Sequence, residues 1–286
     1  MHTEVIGMVL FMKSIDWFIT NNCSSTCCPF CYAPREVFPD DNDLSGSLEI
    51  ASQILKQDIE CVTLCGGEPL EYKYINEVVR FLSGKVKIIF YAGRCINNVI
   101  PLLDYINTIS LPFEAVNRKT QNLLRGEKVH TSVLRLLDYI RRCGLNQKMK
   151  VKIGTVVNAV NINEIKEIYY RLLEYSDVID VWRLYMLSPY GLAAKNRTLL
   201  QITSEQYKKC VDEIKELEEK ANHHFLISER TREENKGYCF IMDSMGRFYK
   251  YEEKYVPLNV TIFDGFEKIE RQYDLQKYKK QKSWQS

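Results

Sequence analysis

The sequence predicts an α/β fold: a parallel sheet alternating with helices, followed by a shorter α+β extension. Three observations carry this. Hydrophobic periodicity switches repeatedly between strand-like runs and helical stripes as far as Leu187. The length, 286 residues, sits near two domains by the usual prior but also fits one α/β barrel. No internal repeat, low-complexity linker or clear boundary interrupts the chain, so residues 1–190 read as the core and 191–286 as an extension packing on it.

The elements follow in order. Val5 to Met12 reads as a first strand, and Ser14 to Thr20 as a strand running into a cysteine-rich loop. Leu48, Ala51, Ile54 and Leu55 recur at helical spacing after a cap at Ser47. Cys61 to Leu64 is strand-like and runs into Gly66-Gly67-Glu68-Pro69. A helix with Ile75, Val78, Val79 and Leu82 leads to the β-rich run Val86 to Tyr91. Asn107 to Leu111 is the next strand. The stripe Val133, Leu134, Leu137 and Ile140 is a helix that Gly144 terminates. Lys150 to Asn158 is a strand, Ile162, Ile165, Ile168 and Leu172 mark a helix, and Val178 to Leu187 completes about six βα units. Beyond Pro189, Ser204 caps a charged helix, and shorter strands are expected at Phe225 to Ile227, Tyr238 to Met242 and Arg247 to Tyr251. The Lys-rich end, Lys277 to Lys282, reads as a solvated surface or tail.

Composition narrows the class. With 45% hydrophobic and 27% charged residues, the chain can bury a sizeable core. A net charge of +2 argues against broad electrostatic capture of nucleic acid. No segment approaches the length of a membrane span, and the apolar start lacks a basic flank and a cleavage site, so a cytoplasmic protein is expected.

Of ten cysteines, four crowd into Cys23, Cys27, Cys28 and Cys31. A disulfide framework belongs to small secreted domains, so clustered thiols here point to a metal or redox site. Soft thiolates bind iron–sulfur clusters well, and this loop follows a strand, at the end where barrel enzymes keep their chemistry. A zinc site usually takes two separated pairs, and His2, His130, His223 and His224 show no ligand spacing. Three ligands on a four-iron cluster leave one iron open. Gly66-Gly67-Glu68-Pro69 supplies two glycines that permit close backbone approach, and an acceptor suited to an ammonium group. No Lys-Ser or Lys-Thr follows, so it is not a phosphate loop.

The two motifs on consecutive βα loops resemble the radical S-adenosylmethionine (SAM) superfamily. Its signature spaces three cysteines Cys-x3-Cys-x2-Cys with an aromatic before the last, and Cys28-Pro29-Phe30-Cys31-Tyr32 matches the second half. One extra residue separates Cys23 from Cys28. The ligand set Cys23, Cys28 and Cys31 keeps the tight pair and leaves Cys27 spare; Cys23, Cys27 and Cys31 keeps the first spacing. The former is preferred. The resemblance implies a partial (β/α)6 TIM-like barrel, a 4Fe–4S cluster and SAM, whose amino and carboxylate groups chelate the open iron. It also implies reductive cleavage to a 5′-deoxyadenosyl radical that removes hydrogen from a small-molecule or nucleotide substrate. Gly66, Gly67, Glu68 and Pro69 would hold the methionyl amine, Ser110 with Thr155 or Asn158 the ribose, and Tyr32 and Met186 the adenine. An external flavodoxin- or ferredoxin-type electron donor is implied.

Within the superfamily the chain is most similar to the viperin-like, nucleotide-dehydrating branch. Ser14-Ile15-Asp16-Trp17-Phe18-Ile19-Thr20 resembles its entry strand, Lys152 falls in a segment similar to its phosphate-contacting strand, and Tyr238 to Asp243 resembles its C-terminal strand. Lys152, Arg183 and Tyr238 are therefore the candidates for substrate contact. That branch's basic pair around a Trp falls on Val181-Trp182-Arg183, so one cation is absent. Its N-terminal membrane helix has no counterpart, and no membrane is expected. A peptide- or natural-product-modifying enzyme is the alternative, because Trp182 to Tyr185 and Ser188 to Gly191 resemble the strand exit of such branches. Only Cys210 and Cys239 follow Cys143, which argues against an auxiliary cluster. A non-catalytic scaffold is the third reading.

Overall fold

The computed structural model describes residues 13–24, 28–126, 128–222, 224–232, 234, 239–252 and 254–273. Val5 to Met12, Cys27, Tyr238, His2, His223 and the Lys277 to Lys282 tail lie outside the described residues.

Six strands, β1 (Ser14–Thr20), β2 (Cys61–Gly66), β3 (Lys87–Tyr91), β4 (Thr108–Pro112), β5 (Lys150–Val157) and β6 (Val181–Met186), lie side by side, all parallel. The extension completes this sheet at both edges. β7 (Leu226–Arg230) pairs parallel with β6, and β8 (Phe240–Met242) pairs parallel with β1. β9 (Arg247–Tyr251) and β10 (Tyr255–Thr261) then turn back antiparallel. The order is β10-β9-β8-β1-β2-β3-β4-β5-β6-β7. Side chains from β1 to β10 line one cavity, so the sheet curls around it, with β7 and β10 left as its free edges. It is an open α/β barrel.

Period-two alternation sorts the strand residues. Ile15, Trp17 and Ile19 are fully buried toward the helices, whereas Asp16 and Phe18 face the cavity. In β2, Val62 and Leu64 join the core while Thr63 and Cys65 line the cavity. The helices Leu44–Lys56, Ile75–Leu82, Val129–Cys143 and Ile165–Leu173 cover the outer face with the apolar stripes read from the sequence.

Several boundaries differ for local reasons. The first helix is capped by Asp43, whose side chain accepts from the Gly46 N–H at 2.8 Å. Ser47 is instead buried inside that helix, bonded to the Tyr72 hydroxyl at 2.6 Å. The later charged helix starts at Ser204, but its cap is Thr203, which forms a reciprocal capping box with Gln206. The Phe225 strand shifts to Leu226–Arg230. Strand β10 escaped the sequence reading because Pro257 interrupts its pattern, and its place at the sheet edge is where a missing N–H is tolerated.

The decisive local feature is how β1 and β2 end. Register slips by one residue between Phe18 and Thr20, and the two backbones close up beyond it. Gly67 N–H donates to the Thr20 carbonyl and Glu68 N–H to the Asn22 carbonyl, both at 2.8 Å. Gly66 sits at φ 139°, and a Cβ on it would overlap the Thr20 carbonyl oxygen; one on Gly67 would overlap the Asn22 carbonyl oxygen. Gly67→Ala is therefore expected to push the cysteine loop off β2, lowering stability by ~2 kcal/mol or more. Urea unfolding and iron content of the reconstituted protein check this.

Candidate active site

A cavity of about 310 Å³ opens at the C-terminal ends of the strands, within the size range of small-molecule sites. The β1 exit brings Cys23, the buried Cys28 and Cys31 to its wall, beside Gly66, Gly67, Glu68 and Pro69. Cys31 is turned back by its N–H on the Cys28 carbonyl at 3.1 Å, and its own carbonyl accepts from Leu192 at 3.0 Å. Cys27 lies outside the described residues. Around one zinc ion, thiolates at about 2.3 Å would stand about 3.8 Å apart. No three His, Cys, Asp or Glu side chains converge on a single-ion site among the described residues. The thiols instead face one cavity from separate points.

A buried cation stands among them. Arg125 donates from Nε and Nη2 to Glu114 Oε1 at 3.0 and 2.7 Å, and its guanidinium lies 4.7 Å from the centre of the Phe30 ring. Glu114 is fully buried and also accepts from Val156 N–H at 2.8 Å, which ties the pair to β5. Burial opposes the arginine's charge, but Glu114, Cys28 and Cys31 raise its pKa further. The cation thus stands beside Cys28 and Cys31 at the cavity wall. Nothing local in the sequence marks Arg125; only the fold puts it there.

Glu68 is 1% exposed, and its carboxylate accepts from the backbone N–H groups of Leu70 (3.3 Å), Gly93 (2.8 Å) and Arg94. It therefore clasps the loop after β2 to the loop after β3 while lining the cavity. Burial pushes its pKa up to about 7 despite those three donors.

The remaining predicted residues divide. Ser110 (4% exposed), Met186 and the half-exposed Tyr32 line the cavity. Thr155 and Asn158 do not. Alternation on β5 turns Thr155 to the helix side, where it donates to the Phe113 carbonyl at 2.6 Å and accepts from Trp182 Nε1 at 2.9 Å. Asn158 braces its own turn through Val156 and Val160. Neither of the two alternatives offered for the ribose, Thr155 or Asn158, thus borders the cavity.

Deeper in the cavity lies a polar group that the sequence reading caught only in part. Arg183 on β6 donates to Ser228 Oγ at 3.0 Å, and Arg230 at the end of β7 donates to Cys239 Sγ at 3.1 Å. Both line the cavity, with Asp16, Tyr91 and Tyr185. Lys152 lies beneath that surface, 2% exposed. Tyr238 lies outside the described residues. Arg230 was missed because it belongs to β7, whose register places it beside Tyr185.

Residues 17–172 match the model of the radical SAM superfamily. The chain belongs to the radical SAM superfamily. Its cofactors are accordingly SAM and a 4Fe–4S cluster, and the donor set fits both: thiols at the wall, a glycine turn beside them and a small-molecule cavity beyond. A SAM-dependent nucleotide dehydratase of Flammeovirga pacifica is 23% identical over 92% of either chain. A protein of the same name from Lacinutrix mariniflava is 23% identical over 87% of this chain and 52% of its own. The chain thus spans about half the length of that curated relative. Among solved structures, Streptococcus suis SuiB bound to S-adenosylmethionine shares the fold at TM-score 0.68, with 15% identity over 96% of this chain and 68% of that one. Native anSMEcpe with bound AdoMet and Cp18Cys peptide also reaches 0.68, at 12% identity over 95% and 86%. No helix long and apolar enough to cross a membrane occurs among the described residues.

Two outcomes are expected. Thr155→Val leaves the Trp182 N–H unpaired and costs about 1–3 kcal/mol in urea unfolding, without weakening SAM in equilibrium binding. The second concerns Glu68. Because its pKa is raised in the folded state, its contribution is full below the ordinary carboxyl value and is lost as pH rises toward about 7. Urea stability should fall over that window, and Glu68→Gln should flatten the fall.

Proposed function

We propose that this chain is a nucleotide-modifying radical SAM enzyme, in which Cys23, Cys28 and Cys31 hold the cluster. The observation that carries the nucleotide reading is the pair of guanidiniums, Arg183 and Arg230, that line the same cavity as the three thiols, with the Lys152 ammonium buried beneath them. A polyphosphate needs several convergent cations, and arginine suits it through its planar donors. The cation missing at Val181 is offset by Arg230, one strand further on. The relatives named nucleotide dehydratases support the same substrate class.

When bound, the cluster supplies the electron that cleaves SAM to methionine and a 5′-deoxyadenosyl radical. The protein's part is placement. Gly66 and Gly67 border the place where the methionyl end of SAM would lie. Arg125 offers a guanidinium to its carboxylate, and Ser110, Tyr32 and Met186 border the adenosyl side. Arg183 and Arg230 hold the substrate's anionic end, and the rings of Phe18, Tyr251 and Tyr255 shield the reacting region from water. A flavodoxin- or ferredoxin-type protein would deliver the electrons. The need to keep the cluster thiols reduced supports a cytoplasmic location.

Two measurements test this. Iron content after reconstitution should collapse in Cys28→Ala and persist in Cys27→Ala; the reverse result reassigns the middle ligand. With reduced holoenzyme, one nucleoside triphosphate among CTP, UTP, GTP and ATP should raise 5′-deoxyadenosine formation at least about tenfold, and Arg230→Met should raise its KM by about tenfold or more, the scale of one lost charged hydrogen bond. No response to any nucleotide would overturn the substrate class and leave the cleavage of SAM standing.

A further inference from the structure

Three polar side chains from three different strands meet beneath the substrate half of the cavity. Lys152 on β5 donates to the Tyr91 hydroxyl on β3 at 2.8 Å, and that hydroxyl lies 3.1 Å from the hydroxyl of Tyr185 on β6. The ammonium group also stands over both rings, 5.0 Å from the centre of Tyr91 and 5.5 Å from that of Tyr185. Gly154 makes room for this: a Cβ there would come within 3.1 Å of Tyr185 Cε2. Tyr91 and Tyr185 border the cavity while Lys152 is sealed below it. The chain of hydrogen bonds therefore runs from the interior to the surface a substrate would touch. None of the three is needed to hold the cluster thiols.

Resting on the nucleotide reading above, we propose that Tyr185 is the catalytic proton donor of this cavity, giving its phenolic proton to a departing substrate hydroxyl, with Tyr91 and Lys152 as the relay that restores it. Such an acid is needed if the reaction is a dehydration. After hydrogen abstraction, the carbon–oxygen bond next to the radical carbon breaks with both electrons going to oxygen. The phenolic proton of Tyr185 joins that oxygen, and water leaves. The resulting substrate radical cation is completed by one electron from the external low-potential donor. The Tyr185 phenolate regains a proton from Tyr91, which takes one from Lys152, and after product release water in the emptied cavity returns a proton to the lysine back through Tyr185 and Tyr91.

The electrostatics suit the task. Burial alone would push the Tyr185 phenol up, but the charges of Lys152 and Arg183 more than offset it and hold it below the ordinary tyrosine range. Burial pushes Lys152 down, with Arg183 adding to the effect, so its proton is also transferable. Tyr91, by contrast, is pushed well up, chiefly by burial, so it passes protons without staying ionised. The charged and titratable groups facing this chain are Asp16 from β1, Tyr32 from the cysteine loop, Arg183 on the strand of Tyr185 itself and Arg230 from β7. Two arginines against one carboxylate leave the surroundings net positive, which stabilises a phenolate.

The test separates proton donation from packing. In reduced holoenzyme with the stimulating nucleotide, Tyr185→Phe should still form 5′-deoxyadenosine with a nearly unchanged KM. Its yield of dehydrated product per 5′-deoxyadenosine should fall at least about tenfold, the lower end of what general acids supply. A raised KM with unchanged product ratio would make Tyr185 a binding residue and overturn the proposal. Tyrosinate absorbance of the protein gives a second readout. One tyrosine should ionise at least about one unit below the ordinary value near 10; it should vanish in Tyr185→Phe and move upward in Lys152→Met. If no tyrosine ionises early in the wild type, the relay is refuted. If wild-type enzyme ignores every nucleotide, the substrate reading fails instead, and the tyrosinate titration still decides the relay.

Discussion

Two backbones that must come closer than side chains allow set the geometry on which the rest depends. The exit of β1 and the turn after β2 are joined by hydrogen bonds from Gly67 and Glu68 to the carbonyls of Thr20 and Asn22. Only residues without a Cβ fit there. The bond pattern fixes where Cys23 begins its loop, and Cys28 and Cys31 follow from the tight turn behind it. The glycines thus serve the protein's own packing before they serve any ligand. Glu68 extends the same brace to the loop after β3, so three strand ends are tied together.

Charge is distributed along the cavity to match two different demands. Near the thiols, Arg125 is tied down by the fully buried Glu114, which fixes its place and partly compensates the cost of burying it. Further in, Arg183 and Arg230 line the cavity above Lys152, and their acidic neighbours include Asp16 and Glu234, so these three cations outnumber those carboxylates where an anionic ligand would lie. The phenols of Tyr91 and Tyr185 lie amid those cations. Removing any one cation would relieve the repulsion on the others and alter the protonation of its neighbours, which is why these residues act as a set.

The extension is part of the site. β7 contributes Arg230, β8 contributes Ile241 with Cys239 just before it, and β9 and β10 contribute Tyr251 and Tyr255. Ser188 beyond β6 reaches the Tyr251 hydroxyl at 2.7 Å, joining the end of the six-strand core to the opposite edge of the sheet. The curled sheet therefore closes by side chains where it does not close by strand pairing.

The sequence by itself determined the six parallel units, the cysteine-rich loop and the glycine turn, because periodicity and short motifs are local signals. It misplaced the caps at Ser47 and Ser204 by up to one helical turn, since several polar residues compete for a cap and packing chooses among them. It could not say that Thr155 and Asn158 turn away from the cavity, because spacing brings a residue to a strand end without saying which face it takes. Arg125, Arg230 and the meeting of Tyr91 with Tyr185 were decided only by tertiary structure. Tyr91 and Tyr185 lie 94 positions apart, and no local pattern encodes a contact made by the curl of a sheet.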